Sequence, residues 1–172
     1  MVKSLLLFVL ILCTTLVATH SRVIQPNGAN IVQQTCSMTP NPALCIQYLN
    51  TDPKSSTSDV NGLAQIMFDV LKLKANIAIG KINQLTRSIP TKQNDAVLSC
   101  IISYRSILVD VWLSTQALQD GNPNFAVHNA EYAASDVNDC ENAFSGKSPL
   151  TAENNVVRDA SVITSAICKL LL

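Results

Sequence analysis

Side chains that could perform acid–base or nucleophilic catalysis are few in this sequence and do not form a catalytic pattern. Its two histidines are His20 and His128, and a serine or cysteine hydrolase would need one of them beside its nucleophile. Asp139 and Glu141 are two positions apart, so on a helix they point to different faces and do not form the carboxylate pair of a glycosidase. The sequence predicts a protein that is not an enzyme and has no catalytic residues.

The residue types that bind metals and cofactors are equally scattered. Glu131 and Asp136 lack the histidine three positions on that completes the Glu-x-x-His motif of di-iron bundles. The cysteines lack the histidine spacing of zinc sites, and the five glycines stand singly instead of forming a phosphate-binding loop. We expect neither a metal site nor a cofactor.

The cysteines instead indicate disulfide chemistry. One of the six lies in an apolar N-terminal run, and an exported chain with the remaining five is expected to form disulfides. Cys36 and Cys45 are nine positions apart, about 13 Å along a straight helix, so a bond between them requires a chain reversal, for which Pro40 and Pro42 are suitably placed. Cys168, in the apolar last segment, is expected to be a buried free thiol, with an intermolecular bridge as the alternative.

Cys100 and Cys140 lie on the two arms of a predicted helical hairpin. Apolar residues recur along each arm at alternating steps of four and three, which places them on one stripe of an α-helix. Between the arms, Gly121 suits the position after a helix end, Asn122 can cap the next helix and Pro123 fits its first turn. Folding the arms together leaves the two cysteines about one helical turn out of register, which is within reach of a disulfide.

The helical segments and their short connections predict an all-α fold. We expect an antiparallel, up-down-up-down four-helix bundle with an N-terminal α-helical hairpin and two disulfides, in which each bundle helix has a single apolar face to bury. The predicted segments are residues 27–35 and 42–50 for the hairpin, 52–58 for a polar linker, and 59–86, 96–144 (two helices) and 150–172 for the bundle.

The first 21 residues have the features of a secretory signal peptide. Lys3 precedes an apolar run at residues 5–17, and small residues at Ala18 and Ser21 mark the cleavage region. The run is too short to span about 30 Å of hydrocarbon. We therefore expect a secreted protein without a membrane anchor, whose one domain occupies residues 22–172.

Charge and aromatic content argue against a nucleic-acid binder. The chain has 12 basic and 12 acidic residues, and 5% of its residues are aromatic. Residues 54–105 hold seven basic and three acidic side chains, whereas residues 110–153 hold seven acidic side chains and only Lys147 against them. The acidic half either steers a basic partner or is an ordinary solvated face.

A set of motifs, taken in order after the signal peptide, resembles a known family. The motifs are Cys36-x8-Cys45, Cys100 opening the second bundle helix, Asp139-Cys140-Glu141-x2-Phe144 closing the third, and Ser148-Pro149 before the last. In this conjunction they resemble the plant invertase and pectin methylesterase inhibitor family over nearly the whole mature chain. The resemblance implies disulfides 36–45 and 100–140, in agreement with the geometry. It also implies a 1:1 complex with a plant acid invertase or pectin methylesterase, in the apoplast (cell wall) or in the vacuole.

The resemblance also implies where the target enzyme is contacted. The invertase branch places a Pro-Lys-Phe turn in the enzyme's substrate cleft, and the matching residues here are Pro123, Asn124 and Phe125. Lysine could form charge-assisted hydrogen bonds with the carboxylates of that cleft, whereas Asn124 offers neutral hydrogen bonds only. Asp120 and Glu131 are further contact candidates. The leading prediction is an inhibitor that blocks the active-site cleft of a plant acid invertase (β-fructofuranosidase).

The sequence is also compatible with two other functions. A pectin methylesterase inhibitor would cover its enzyme with polar and acidic residues of the second and third bundle helices, for which the candidates are Asp110, Asp120, Glu131 and Asp136. A secreted helical-bundle protein without inhibitory activity would need no contact turn at all. In that reading the proline only starts a helix, and Phe125 packs on Leu118 across the turn.

Overall fold

The computed structural model describes residues 28–88, 91 and 94–172, and this part of the chain is built of α-helices and one 3₁₀ helix. The predicted signal peptide lies outside the described residues. The elements are α1 (Gly28–Ser37), α2 (Pro42–Leu49), the 3₁₀ helix (Pro53–Ser56), α3 (Val60–Leu85), α4 (Asn94–Gln119), α5 (Pro123–Ala143) and α6 (Thr151–Lys169). The predicted all-α fold is confirmed.

Helices α3 to α6 pack as a four-helix bundle in which each helix contacts two neighbours. The contacts join α3 to α4, α4 to α5, α5 to α6 and α6 back to α3. Consecutive helices are neighbours joined by short connections, so they run antiparallel in the predicted up-down-up-down order. The hairpin of α1 and α2 packs on α3, and its buried residues Val32, Tyr48 and Leu49 belong to the same apolar core as the bundle.

Local side-chain caps explain where several helices begin. Asp59 precedes α3, and its Oδ1 accepts the N–H of Gly62 at 2.8 Å. The predicted polar linker contains the 3₁₀ helix, which begins where Asp52 Oδ1 accepts the N–H of Lys54 at 2.8 Å. Such caps satisfy backbone donors that have no partner within the helix, and each contributes about 1 kcal/mol.

Both predicted disulfides are present. Cys36–Cys45 joins α1 to α2 with its Cα atoms 5.5 Å apart, and Cys100–Cys140 joins α4 to α5 with its Cα atoms 4.4 Å apart. All four cysteines are buried. Cys168 is a buried free cysteine, as predicted, and burial raises the pKa of its thiol to about 12. The thiol is therefore protonated and unreactive at physiological pH.

The apolar face of α4 that was predicted to be buried lies in the core, but α4 also carries apolar residues on its opposite side. One side lies in the core and includes Val97, Tyr104, Ile107, Val111 and Leu118. The opposite side exposes Leu98 (54%), Ile102 (61%), Val109 (55%) and Trp112 (63%). Among the described residues α4 is also the one helix long and apolar enough by composition to cross a membrane, with a mean hydropathy of 1.6. Both faces contribute to that value, because a hydropathy average does not depend on which side of the helix a residue occupies.

Candidate functional site

The turn between α4 and α5 is a Schellman motif that reverses the chain in three residues. The N–H of Asn122 donates to the carbonyl oxygen of Ala117 at 2.8 Å, and the N–H of Gly121 donates to that of Leu118 at 3.4 Å. Gly121 has a φ of +73°, a left-handed conformation that strains any residue with a Cβ. The turn itself therefore supplies hydrogen-bond donors for carbonyl groups in the last turn of α4.

The same turn also starts α5. Asn122 Oδ1 accepts the N–H of Phe125 at 3.3 Å, and Pro123 occupies the first turn of the helix. The roles predicted for Gly121, Asn122 and Pro123 are thus confirmed. We call residues 120–125 the tip; it is held by hydrogen bonds on both sides and stands at one end of the bundle.

The tip presents four of the five predicted contact residues together. Asp120 and Asn124 are exposed, Pro123 is half-buried and Phe125 is 41% exposed. About two-fifths of the Phe125 surface is thus accessible to a partner, although the larger part of the residue is buried. The tip therefore combines an apolar ring, an amide and a carboxylate on one rigid turn.

Glu131, the fifth predicted contact residue, lies two turns further along α5 and is engaged with α6. Its Oε1 is 2.7 Å from Lys169 Nζ and accepts a hydrogen bond from Ser165 Oγ at 3.3 Å. The hydrogen bond from Lys169 is the main reason that the pKa of Glu131 lies below its usual range. The structure does not bring Glu131 to the tip.

Side chains of the types that ligate metal ions do not cluster in the described part of the chain. There, no group of three or more histidine, cysteine, aspartate or glutamate side chains is placed to hold a metal ion. His128 lies on the surface of α5, where its Nδ1 is 3.9 Å from Glu131 Oε2. An exposed imidazole beside a surface carboxylate is an ordinary helix pair.

Asp110 and Asp136, candidates for an acidic contact surface, are half-buried between α4 and α5. Burial, and then the negative charge of Asp136, raise the pKa of Asp110 to about 6. Burial also raises the pKa of Asp136, although a hydrogen bond with Ser106 opposes that shift. Asp136 Oδ2 is buried without a hydrogen-bond partner among the described residues. These carboxylates are poorly suited to a solvated, fully charged contact surface.

Replacing Asp110 with asparagine is expected to stabilise the protein at neutral pH. Because its folded-state pKa is raised, Asp110 favours folding below about pH 3.8, and this contribution is lost as the pH rises through about 6. Asp110→Asn should therefore raise the free energy of unfolding by about 1–2 kcal/mol at pH 7 and leave it nearly unchanged at pH 4, since partial solvation reduces the full effect. Urea unfolding at both pH values measures this.

Asp120→Asn is the control for that experiment, because Asp120 is exposed at the tip. An equal gain from Asp110→Asn at pH 4 and pH 7 would contradict the role assigned to its ionisation.

Glu141 forms a hydrogen-bonded latch that sequence analysis recognised only as part of a motif. Its Oε1 accepts hydrogen bonds from the Ser148 N–H (3.2 Å) and Thr151 Oγ1 (2.7 Å), and its Oε2 accepts one from Asn154 Nδ2 (2.7 Å). Asn154 Oδ1 in turn accepts the hydroxyl of Tyr104 at 2.8 Å. The latch thus connects α4, α5, the following loop and α6.

The sequence profile of one protein family, described as "Plant invertase/pectin methylesterase inhibitor", matches residues 30–167. The chain belongs to this inhibitor family. Its relatives are named as inhibitors, and this inhibitor-family protein is not an enzyme. The family assignment made from the cysteine motifs is confirmed.

Two relatives illustrate the two target classes within the family. The inhibitor-family chain is 34% identical over 139 residues to "Cell wall / vacuolar inhibitor of fructosidase 1" of Arabidopsis thaliana. The aligned region covers 80% of this chain and 67% of that protein. It is 28% identical over 118 residues to "Pectinesterase inhibitor" of Actinidia deliciosa, covering 68% of this chain and 64% of that protein.

A solved structure supports the fold of the inhibitor-family chain. The crystal structure of a pectin methylesterase inhibitor from Arabidopsis thaliana superposes with a TM-score of 0.62 at 18% identity, covering 82% of this chain and 95% of that one. At this identity the likeness shows the fold alone.

Proposed function

We propose that this protein inhibits a plant acid invertase (β-fructofuranosidase) by inserting the tip into the enzyme's active-site cleft, in a 1:1 complex. The complex would form in the cell wall or the vacuole. The observation that carries the proposal is the rigid, exposed Pro123-Asn124-Phe125 turn, fixed by the Schellman motif on one side and the Asn122 cap on the other. A turn that is already ordered loses little conformational entropy on binding.

The chemistry of the tip suits a cleft with polar walls. The exposed ring of Phe125 supplies apolar area of the kind that often dominates protein interfaces, and the Asn124 amide can donate hydrogen bonds to carboxylates. A small projecting tip also fits a concave site better than a helix face does. Similarity to a named inhibitor of fructosidase at 34% identity supports the same target class.

The surface of α4 favours invertase over pectin methylesterase as the target. The pectin methylesterase reading requires polar and acidic residues on the second and third bundle helices. The outward side of α4 is instead apolar, and Asp110 and Asp136 are half-buried with raised pKa values. Of the predicted acidic candidates, Glu131 is already paired with Lys169, which leaves Asp120 at the tip.

Separate titrations of a plant acid invertase and a plant pectin methylesterase with the purified protein test the proposal. We expect invertase activity to fall to a plateau at one equivalent of inhibitor and pectin methylesterase activity to stay unchanged. Full invertase activity at saturating protein would refute the proposal. Loss of pectin methylesterase activity alone would establish the other target, and loss of neither would indicate a non-inhibitory bundle.

Phe125→Ala is expected to weaken invertase inhibition by about 10- to 100-fold, because it removes the apolar anchor of the tip. The matched control is Tyr132→Ala, since Tyr132 is an aromatic residue that is 60% exposed on the same helix outside the tip. Inhibition constants and melting temperatures of both variants are measured together. Equal weakening by the two changes would argue that a helix face, rather than the tip, makes the contact.

Asn124→Lys is expected to tighten invertase inhibition by about tenfold, because a charged donor forms stronger hydrogen bonds with cleft carboxylates than a neutral amide does. The gain should shrink as salt is added, since the new interaction is electrostatic. Asn83→Lys places the same charge at an exposed position on α3 and serves as the control. A tip lysine that leaves the affinity unchanged would place the contact elsewhere.

A further inference from the structure

The outward side of α4 carries an apolar stripe that neither the core nor the tip uses. We call Leu98, Ile102, Val109 and Trp112 the α4 stripe; Arg105 lies in the middle of it. These five positions follow one another at steps of four, three, four and three, so they lie along one line of the helix. Each of the four apolar side chains is more than half exposed.

The α4 stripe is large for a surface without a partner. Its four residues are 54–63% exposed, which corresponds to roughly 500 Å² of mostly apolar surface, toward the upper end of what monomeric proteins show in one patch. Half-buried Ile101 and Leu113 flank the stripe and widen it. A stable interface needs about 800 Å² from each partner, so the stripe, about 21 Å long, supplies more than half of that area and the side chains around it would supply the remainder.

The stripe is complementary to itself. When two α4 helices are placed antiparallel with Arg105 at the centre, Leu98 of one copy faces Trp112 of the other, and Ile102 faces Val109. Large side chains then meet at both ends and branched ones beside the centre. We propose that the α4 stripe is the interface of a homodimer with a two-fold axis beside Arg105. A two-fold axis requires that one patch pairs with itself. A contact between one residue of the first copy and another residue of the second copy is then repeated with the copies exchanged.

The net charge of the chain is compatible with a second copy as the partner that covers the α4 stripe. The chain has as many acidic as basic residues, so two copies have little net charge to repel each other. The two Arg105 side chains meet near the axis and repel locally. Each is exposed and has a long flexible stem, so its guanidinium can turn toward solvent, where salt screens the repulsion. The dimer should therefore become tighter as salt is added.

This pairing leaves the proposed inhibitory site free. The tip lies about 22 Å along α4 from the axis, so the two tips of an antiparallel pair stand roughly 45 Å apart at opposite ends. The homodimer therefore goes beyond the proposed function and does not depend on it. Failure of one does not imply failure of the other, because self-association and enzyme inhibition are measured separately.

Sedimentation equilibrium of the secreted protein, at 1–200 µM and in low and high salt, tests the proposal. We expect a monomer–dimer equilibrium that is strengthened several-fold by salt. Ile102→Lys should weaken self-association by about 100-fold, because it puts a charge into the apolar stripe beside the partner's Arg105. Ile77→Lys is the matched control, since Ile77 is 54% exposed on α3 and lies outside the stripe.

The variant Arg105→Gln distinguishes a second copy of the chain from any other partner at the α4 stripe. In the two-fold dimer it removes a like-charge contact, so self-association should tighten by about tenfold and lose its salt dependence. Weaker self-association of Arg105→Gln would mean that a carboxylate faces Arg105, and would overturn the two-fold pairing. A monomer at every concentration and salt, or a dimer that survives Ile102→Lys, would overturn the proposal as well.

Discussion

Replacing both Cys100 and Cys140 with serine is expected to lower the melting temperature by roughly 8–16 °C. The disulfide closes a 40-residue separation in sequence, and a loop of that size restricts the unfolded chain by about 4 kcal/mol on the chain-entropy account. For a domain of about 150 residues, each kcal/mol changes the melting temperature by about 2–4 °C. Thermal unfolding of the double variant, followed by circular dichroism, measures the loss.

The second disulfide supplies the control for this prediction. Cys36–Cys45 closes a separation of nine residues and is worth about 2.7 kcal/mol by the same reasoning, so its removal should cost less. All four cysteines are buried, and the cost of burying a serine hydroxyl therefore falls on both pairs alike. A larger loss from the hairpin pair than from the bundle pair would contradict the loop-length explanation.

Glu141→Gln is expected to lower the free energy of unfolding by about 2–4 kcal/mol at pH 7. Glu141 accepts three hydrogen bonds through its two carboxylate oxygens. Glutamine has only one oxygen, and its NH₂ group would face a donor with which it cannot form a hydrogen bond. Asn154, which is fully buried, would lose its partner for Nδ2, and its contact with Tyr104 would be disturbed. Charge-assisted hydrogen bonds and buried unpaired donors are among the larger single contributions to stability.

The pH dependence identifies ionisation of Glu141 as the cause. Burial alone would raise its pKa, but hydrogen bonds from Thr151, Asn154 and the Ser148 N–H outweigh burial and hold the pKa below its usual range. A lowered folded-state pKa means that the carboxylate stabilises the fold above about pH 4.5 and that this contribution is lost as the pH falls below that value. Unfolding curves between pH 3 and pH 7 should therefore be flatter for Glu141→Gln than for the parent protein.

Two further variants make this prediction specific. Thr151→Val removes one of the three donors and should cost about 1 kcal/mol while leaving the acid dependence in place. Glu153→Gln neutralises a nearby carboxylate on α6 that takes no part in these hydrogen bonds, and should change little. If Glu141→Gln keeps the parent's loss of stability in acid, another carboxylate is responsible for it.

The latch and the disulfide act at the same end of the bundle, opposite the tip. Cys140 and Glu141 are adjacent in α5, so one residue ties that helix covalently to α4 and the next ties it to α6 through hydrogen bonds. At the other end the Schellman turn joins α4 and α5 directly. The pair of helices that carries the tip is therefore held at both ends, which is the arrangement that the proposed contact with an enzyme requires.

Features that depend on neighbouring residues alone could be predicted from the amino-acid sequence. Helical periodicity, the Asp59 cap and the Gly121-Asn122-Pro123 turn are local, and they place the helix bounds within a few residues of those observed. Spacing and chain reversal make both disulfides geometrically possible, because a disulfide tolerates only a narrow range of Cα separations, and the family resemblance implies the pairing that is observed. The cysteine motifs also sufficed to identify the family.

Features that depend on how the helices are rotated and what they meet were decided only by the tertiary structure. The sequence predicted the buried face of α4, but only the structure shows that the opposite, apolar side of α4 is left exposed when α4 packs against α3 and α5. Burial between helices, and then the charge of Asp136 26 positions away, raise the pKa of Asp110, and Glu131 pairs with Lys169, 38 positions away. Burial and charge act through space over a few ångströms, so their effects appear only when distant segments have been brought together.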